Sequence, residues 1–557
     1  MKTYWTTFYS YKGGVGRSLA LANVAALLVQ RGHRVVLMDF DLEAPGLDTF
    51  SEFSDAKDKA GIVEYAAEFQ RRQSAPDVTP FIHRVRLPTH LRGKLWIMPA
   101  GRKDKAYKHL LPRLSWAEIY ESGLGSPFVE NWKLSIEQEF QPDYVLIDSR
   151  TGLTEIGGVC TTAFPDLVVM LFGLNEQNVE GTAIVARHIR EADLERPPQL
   201  HFVATPIPNL PPDKNGLLLE RFKAAEEILG FALRANSLRY WPPAALTERL
   251  FVLDEPFEQS VLIQDHKMLC DAVTQFNRNG LDFLTEQTEQ AIKADDFKLG
   301  ERLEVILSSE FADRPEAFFL RSRLARLNGR SDKAIQLAEA AFELDPLYAP
   351  PFDFLCTQHV RAKQFEKVEL LCERVLTVES RLPLERKTGL LTKLAVLRMS
   401  LGKYSLAADD FAKLVQSTSQ RPVGPPLQHL VYSFNLAEAS RRAGRKPPLE
   451  VWKNLVQLFE SFPALSGVPT VTANHCQAMH IPYALVGDIE KSKDCLRKAH
   501  RNADAVNDLE EIFSVRDYRE VSRDEFKASN EEFLAALSRG ELWDGMKLPV
   551  ATEGRTE

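Results

Sequence analysis

No stretch of this chain approaches the ~20 consecutive apolar residues that a helix needs to cross a bilayer. The N-terminus runs straight into TYWTTFYS, without the apolar core of a secretion signal. Cysteine is scarce, with residues only at 160, 270, 356, 372, 476 and 495 and no C-x-x-C pair. Neither a disulfide framework nor a zinc site is expected, and most of these residues read as buried thiols. A basic excess is missing too: the formal net charge of −8 argues against a general DNA-coating surface, so nucleic acid is not the expected partner. The final stretch, GELWDGMKLPVATEGRTE, is short, partly acidic and has no amphipathic anchor. These absences lead us to expect a cytoplasmic protein with no membrane attachment. What remains is ample: 557 residues, 44% of them hydrophobic, suffice for several domains of about 100–200 residues each.

The most informative stretch is Phe8 to Leu47, FYSYKGGVGRSLALANVAALLVQRGHRVVLMDFDLEAPGL. A β-rich run, Thr3 to Ser10, leads into the glycine-rich turn from Lys12 to Ser18. A helix follows, with Leu19, Val24, Leu27 and Leu28 at helical spacing and Gly32 closing it. Next comes a buried-looking strand, Val35 to Met38, which delivers Asp39 and Asp41 to its carboxyl end. Strand, glycine turn, helix and strand place backbone N–H groups and a helix N-terminus where an anion docks. Gly13, Gly14 and Gly16 let the backbone close around phosphate oxygens, which Cβ atoms would obstruct. Ser18 stands where a P-loop hydroxyl ligates Mg²⁺, and Arg17 where the phosphate-binding lysine stands. Arginine keeps the charge in a bulkier, planar form, so phosphate contact with altered geometry is expected. Tyr11 also occupies a position where the standard pattern has glycine.

On these residues the segment closely resembles the deviant P-loop of the ParA/MinD family of dimerising ATPases, in the branch whose loop reads KGGVGR. The resemblance implies ATP and Mg²⁺ as ligands, with Lys12, Gly13, Gly14, Val15, Gly16, Arg17, Ser18 and Leu19 around the nucleotide. It makes Lys12 the signature lysine that reaches the nucleotide of the opposite subunit in an ATP-dependent homodimer. It also places Asp39 near Mg²⁺ and gives Asp41 the orienting of the attacking water, so that Lys12 and Asp41 are the catalytic pair. A second motif, YVLIDSRTGLTEIGG from Tyr144 to Gly158, is an apolar strand ending in Asp148 and followed by a glycine-hinged turn. In P-loop proteins such an acid sits beside Mg²⁺, and the turn senses the γ-phosphate. Ser18, Asp39 and Asp148 are therefore the expected metal side of the site.

Further strands are expected at Leu95–Gly101, Leu167–Phe172, His201–Thr205 and Leu250–Leu253, alternating with helices near Thr182–Ala192, Leu217–Leu229 and Glu258–Val273. That alternation predicts a doubly wound α/β domain with a mostly parallel sheet and ligands at the strands' carboxyl ends. By family analogy the loops after the late strands hold the adenine, which nominates Thr205 and Pro206. Residues 49–92 read as a polar, helix-leaning insertion, and Arg102, Lys103 and Lys105 as a solvated loop.

From about residue 285 strand signals vanish. Phe318, Ser322, Ala325, Gly329, Ala334, Ala338, Ala341 and Pro346 fit the 34-residue tetratricopeptide (TPR) pattern, and looser units follow around Cys356, Gly402, Gly444 and Gly487. Small residues let paired helices approach, and an array of such pairs offers a face to a protein or peptide partner. Asp508 to Leu537 reads as a terminal helical cap. The expected organisation is an ATPase domain over 1–284, an all-α TPR-like domain over 285–540 and a tail over 541–557. The leading expectation is an ATP-driven dimerising switch whose slow hydrolysis is coupled to partner binding. The alternative is a nucleotide-binding scaffold that scarcely hydrolyses, and a DNA-partition ATPase ranks third. By association only, KGGVGR ATPases joined to helical repeats resemble bacterial signalling or defence components.

Overall fold

The computed structural model describes residues 3–114, 116, 125–194, 196–211, 215–234, 236–245, 247–253, 260–419, 426–461, 468–507 and 510–548. The chain forms two compact units, Met1–Tyr348 and Ala349–Glu557.

Unit 1 is built on an eight-stranded sheet: β1 (Tyr4–Tyr9), β2 (Arg34–Asp39), β3 (His83–Arg84), β4 (Lys94–Met98), β5 (Tyr144–Asp148), β6 (Leu167–Phe172), β7 (Gln199–Ile207) and β8 (Ser237–Arg239). The spatial order is β3-β4-β2-β5-β1-β6-β7-β8, and only the short β3 runs antiparallel. Successive side chains on a strand face opposite sides, and the apolar runs serve both. Val35 and Leu37 of β2 pack with the helix α1 (Arg17–Gln30) and the helix Val261–Phe276. Val36 and Met38 pack on the other face, against Ile62–Arg72 and Gly125–Phe140. This is the expected doubly wound architecture.

Two details differ from the sequence expectation. Phe251–Leu253 forms a short 3₁₀ turn, and the last strand is Ser237–Arg239, paired with β7. The run LFVL is apolar enough for a strand, but Leu250, Phe251 and Val252 are buried in the layer that covers the sheet. The segment expected as helix-leaning, 49–92, holds the helix Ile62–Arg72, the 3₁₀ turns Ser51–Ala56 and Thr79–Phe81 and the short strand β3, and a further 3₁₀ turn, Leu47–Thr49, leads into it.

The expected boundary at 284/285 falls inside the helix Leu281–Lys293. That helix and the next three (Phe297–Glu310, Pro315–Leu327 and Ser331–Leu344) belong to unit 1. The reason is a buried ion-pair cluster at the amino end of the sheet. Arg314 Nη1 donates to both oxygens of Asp143, at 2.8 Å each, and Arg314 Nη2 donates to the carbonyl of Gly32. His33 lies 2.6 Å from Asp282 and 3.5 Å from Asp143. Nearby, Arg92 binds Asp345 at 2.6 Å and also Glu316 at 2.5 Å. Burial alone would lower the His33 pKa, but Asp282 and Asp143 outweigh it and push it up to about 9. The charge on His33 in turn helps Arg314 hold Asp143 well below the usual carboxylate range despite its burial.

The helices Pro315–Leu327 and Ser331–Leu344 form the hairpin anticipated from the small residues. Ala334, Ala338 and Ala341 are fully buried, Gly329 adopts a positive φ of 70°, and the Ser322 hydroxyl donates to the carbonyl of Ala334 at 2.6 Å. Unit 2 continues with helical hairpins, from Ala349–Arg361 with Phe365–Leu376 to Pro469–Leu485 with Ile489–Asp504. Gly402, Gly444 and Gly487 turn the chain between paired helices with positive φ. The expected helical cap is instead a β-hairpin, Ile512–Ser514 with Arg519–Val521, followed by the helix Arg523–Ser538. Its charged sequence hides Ile512, Tyr518 and Val521, all buried. Of the expected tail, 549–557 lies outside the described residues.

Candidate nucleotide-binding site

The site is assembled by strand register. Asp148 at the end of β5 is the register partner of Asp39 at the end of β2 and of Phe8 near the end of β1. Three strand ends therefore meet where β1 gives way to the glycine turn. Gly14 and Gly16 sit at φ 79° and 78°, in the left-handed region that favours glycine. A Cβ built on either, or on Gly13, would point into open space, so their exposed side can receive a ligand. Helix α1 begins at Arg17 with no side-chain cap and no acid in its first turn. Its free N–H groups and dipole are left to an anion.

Arg17 points back into the strand ends. Its Nη2 donates to Asp41 at 2.8 Å and its Nε donates to Asp148. Arg17 is 6% exposed and Asp148 fully buried, so the ion pair is a buried one. Burial opposes the charge on Arg17, but Asp148 and Asp41 more than restore it and raise its pKa. Burial also raises Asp148, against the pull of Arg17. Asp39 accepts backbone N–H groups from Asp41 and Leu47 at 3.2 Å each. Burial, with Asp148 adding to it, pushes Asp39 well above the usual carboxylate range. Three buried polar atoms here lack a hydrogen-bond partner: Arg17 Nη1, Asp148 Oδ2 and the Ser10 hydroxyl. An unpaired buried polar atom costs about 1–3 kcal/mol, so this cluster is unsatisfied as it stands. Phosphate oxygens and a hydrated Mg²⁺ have the complementary chemistry, and the residues present fit both.

Lys12 is in a different environment. It is exposed, makes no ion pair among the described residues and lies 5.8 Å from the Tyr11 ring centroid. The Tyr11 ring occupies the place where a Cβ on Gly181 would sit, which explains why glycine is needed in that helix. The turn after β5 is tied to β1 by the Tyr9 hydroxyl, which donates to the Gly152 carbonyl at 3.1 Å. Arg150 in this turn forms an ion pair with Glu43 in the loop after β2. Lys103, expected in a solvated loop, binds Asp48 at 2.7 Å.

Beside the glycine turn lies a cavity of about 160 Å³. Gly14, Val15, Gly16, Leu19, Thr205 and Pro206, all singled out from the sequence, line it together. The Thr205 hydroxyl donates to the Val15 carbonyl at 3.2 Å, tying the loop after β7 to the phosphate turn. Leu238, Arg239, Tyr240, Trp241, Leu262 and His266 complete the lining, and the sequence reading does not nominate them. The signal was present in the dipeptide Tyr240-Trp241, but only recognition of the three-residue strand β8 places it at a carboxyl edge. Leu153, Leu217, Leu219 and Ile184 are exposed apolar residues of unit 1, at 59%, 53%, 49% and 43%.

Among the described residues no helix is long and apolar enough to cross a membrane, and all six cysteines are free and buried. Solved structures with a similar chain include the cell division ATPase MinD of Pyrococcus furiosus, at 15% identity and TM-score 0.37, covering 49% of this chain and 99% of that one. Another is the septum site-determining protein MinD of Pyrococcus horikoshii complexed with Mg-ADP, at 16% identity and TM-score 0.36, covering 49% and 96%. A ParA family ATPase from Chlorobium tepidum matches at 13% identity and TM-score 0.36, covering 49% and 97%. No curated protein matches the chain. Residues 6–160 match the family described as the CobQ/CobB/MinD/ParA nucleotide binding domain, and that segment holds the glycine turn, Asp39, Asp41 and Asp148.

Proposed function

We propose that the protein is an ATP-dependent dimerising switch with slow ATP hydrolysis. The observation that carries this reading is the convergence at Arg17: an uncapped helix N-terminus, positive-φ glycines and two in-register acids surround a guanidinium with one unpaired nitrogen. The backbone N–H groups of Gly13 to Ser18 bind and orient the phosphates. Ser18, Asp39 and Asp148 would hold Mg²⁺, which supplies charge neutralisation on the phosphate oxygens. Asp41, next to the strand ends and 19% exposed, orients a water. Lys12 stabilises charge developing on the phosphoryl group of a second copy, a role that its exposure and its lack of an ion pair among the described residues support. The exposed apolar residues Leu153, Ile184, Leu217 and Leu219 suit the face that closes on that copy.

The test is Lys12→Ala, followed by light scattering with ATP and Mg²⁺. Dimerisation should be lost while the far-ultraviolet circular dichroism is unchanged, and an ATP-dependent dimer of this variant would sink the cross-subunit role. The second reading, a binding scaffold with little turnover, is favoured by one fact: Arg17 already occupies Asp41. Phosphate release in a single turnover separates the two, because a rate equal to that of Asp41→Ala supports the scaffold. A DNA-partition role would require salt-sensitive DNA binding. For the helical half we infer a TPR-like array that binds a protein or peptide. A groove of about 610 Å³ between the helices Pro426–Arg442 and Leu449–Glu460, with Leu436, Ala437 and Leu455 in its lining and Arg445 and Lys446 beside them, supports that use.

A further inference from the structure

Three carboxylates, Asp39, Asp41 and Asp148, converge at the strand ends, and among the described residues Arg17 is the one cation ion-paired with any of them. Its fork spans two acids that come from different strands, Asp41 just past β2 and Asp148 at the end of β5. A lysine has a single ammonium on a flexible stem and lacks the planar fork that matches two carboxylates at once. The remaining nitrogen, Nη1, is buried and unpaired, and so is Oδ2 of Asp148. The cluster is thus held together by the guanidinium and still has one free prong on each partner.

We propose that Arg17 is a built-in counter-cation: in the nucleotide-free chain it occupies the carboxylates a divalent ion would use, and it releases them only to the phosphates of an incoming nucleotide. The inference rests on the nucleotide-binding reading given above and adds an order to it. A divalent ion arriving alone meets a buried positive charge at short range, where repulsion is poorly screened. Moving Arg17 aside without a new partner would strand a buried charge, which is costly. Phosphate oxygens remove that cost, because the guanidinium pairs with them as well as it does with carboxylates. Metal and nucleotide therefore favour each other's binding, and the coupling is reciprocal.

The experiment uses Mn²⁺ as the probe, followed by electron paramagnetic resonance on the full chain without nucleotide. The unmodified protein should take up no Mn²⁺ at millimolar concentration, whereas Arg17→Met, which clears the guanidinium, should bind it at least about tenfold more tightly. Equal Mn²⁺ binding by the two proteins overturns the proposal. If circular dichroism shows that Arg17→Met does not fold, Arg17→Lys replaces it: a gain in Mn²⁺ binding over the unmodified protein supports the counter-cation, and no gain overturns it. Titration of the unmodified protein with a non-hydrolysable ATP analogue keeps the two claims apart. Failure to bind the analogue in the presence of Mn²⁺ refutes the nucleotide reading, whereas analogue binding with Arg17-independent Mn²⁺ uptake refutes the counter-cation alone.

Discussion

The two ends of strand β5 each hold a buried arginine against carboxylates, and the two clusters are in opposite conditions. At the amino end Asp143 receives Arg314 on both oxygens and the Arg34 backbone N–H at 2.7 Å, with His33 close by. At the carboxyl end Arg17 and Asp148 are paired, yet each keeps a buried atom with no partner. The same residue types thus make a fastening in one place and a receptive site in the other. The difference lies in the carboxylate: both oxygens of Asp143 have donors and fasten the fold, whereas Oδ2 of Asp148 has none and keeps capacity for a ligand.

The contrast is sharpest in what substitutions should cost. Asp143→Ala takes the bidentate partner from the buried Arg314, and it should destabilise unit 1 by about 3–5 kcal/mol in urea unfolding. A loss below about 1 kcal/mol would show that the amino-end cluster is not a fastening. The next largest effect is a pH dependence. His33 is raised from its ordinary 6.5 to about 9, so its contribution is complete below pH 6.5 and disappears as pH rises through 9. Unit 1 should lose on the order of 2 kcal/mol across that window, and His33→Asn should flatten the curve. An unchanged curve in the variant would remove the charged histidine from the fastening. The smallest effect belongs to the receptive end. Thr205→Val removes the hydroxyl donated to Val15, at about 1 kcal/mol of stability. Calorimetry should show nucleotide affinity falling several-fold, and an unaltered affinity would detach the loop after β7 from the site.

The carboxyl end was readable in the sequence because its parts are local. Lys12 to Leu19 is one continuous turn and helix start, and Asp39 and Asp148 each terminate an apolar strand. The amino end was not readable, since Asp143 meets Arg314 and His33 meets Asp282 across long separations in the chain. Charged residues dispersed in this way look like solvated surface until the fold brings them together. Composition changes near 284/285, whereas the compact units divide at 348/349. β8 escaped notice because three residues carry too little periodicity, and its pairing is set by β7. The hairpin 512–521 reads as helix in the sequence because its strands are short and rich in charge, and its turn depends on Tyr518 at φ 51°.

One strand five residues long therefore carries both a fastening and a receptor, with Asp143 just before it and Asp148 as its last residue. A genetic screen that scores only nucleotide binding would recover changes at both positions and give them the same phenotype. Melting curves would sort them, since one class of mutant loses its shape and the other keeps its shape and loses its ligand.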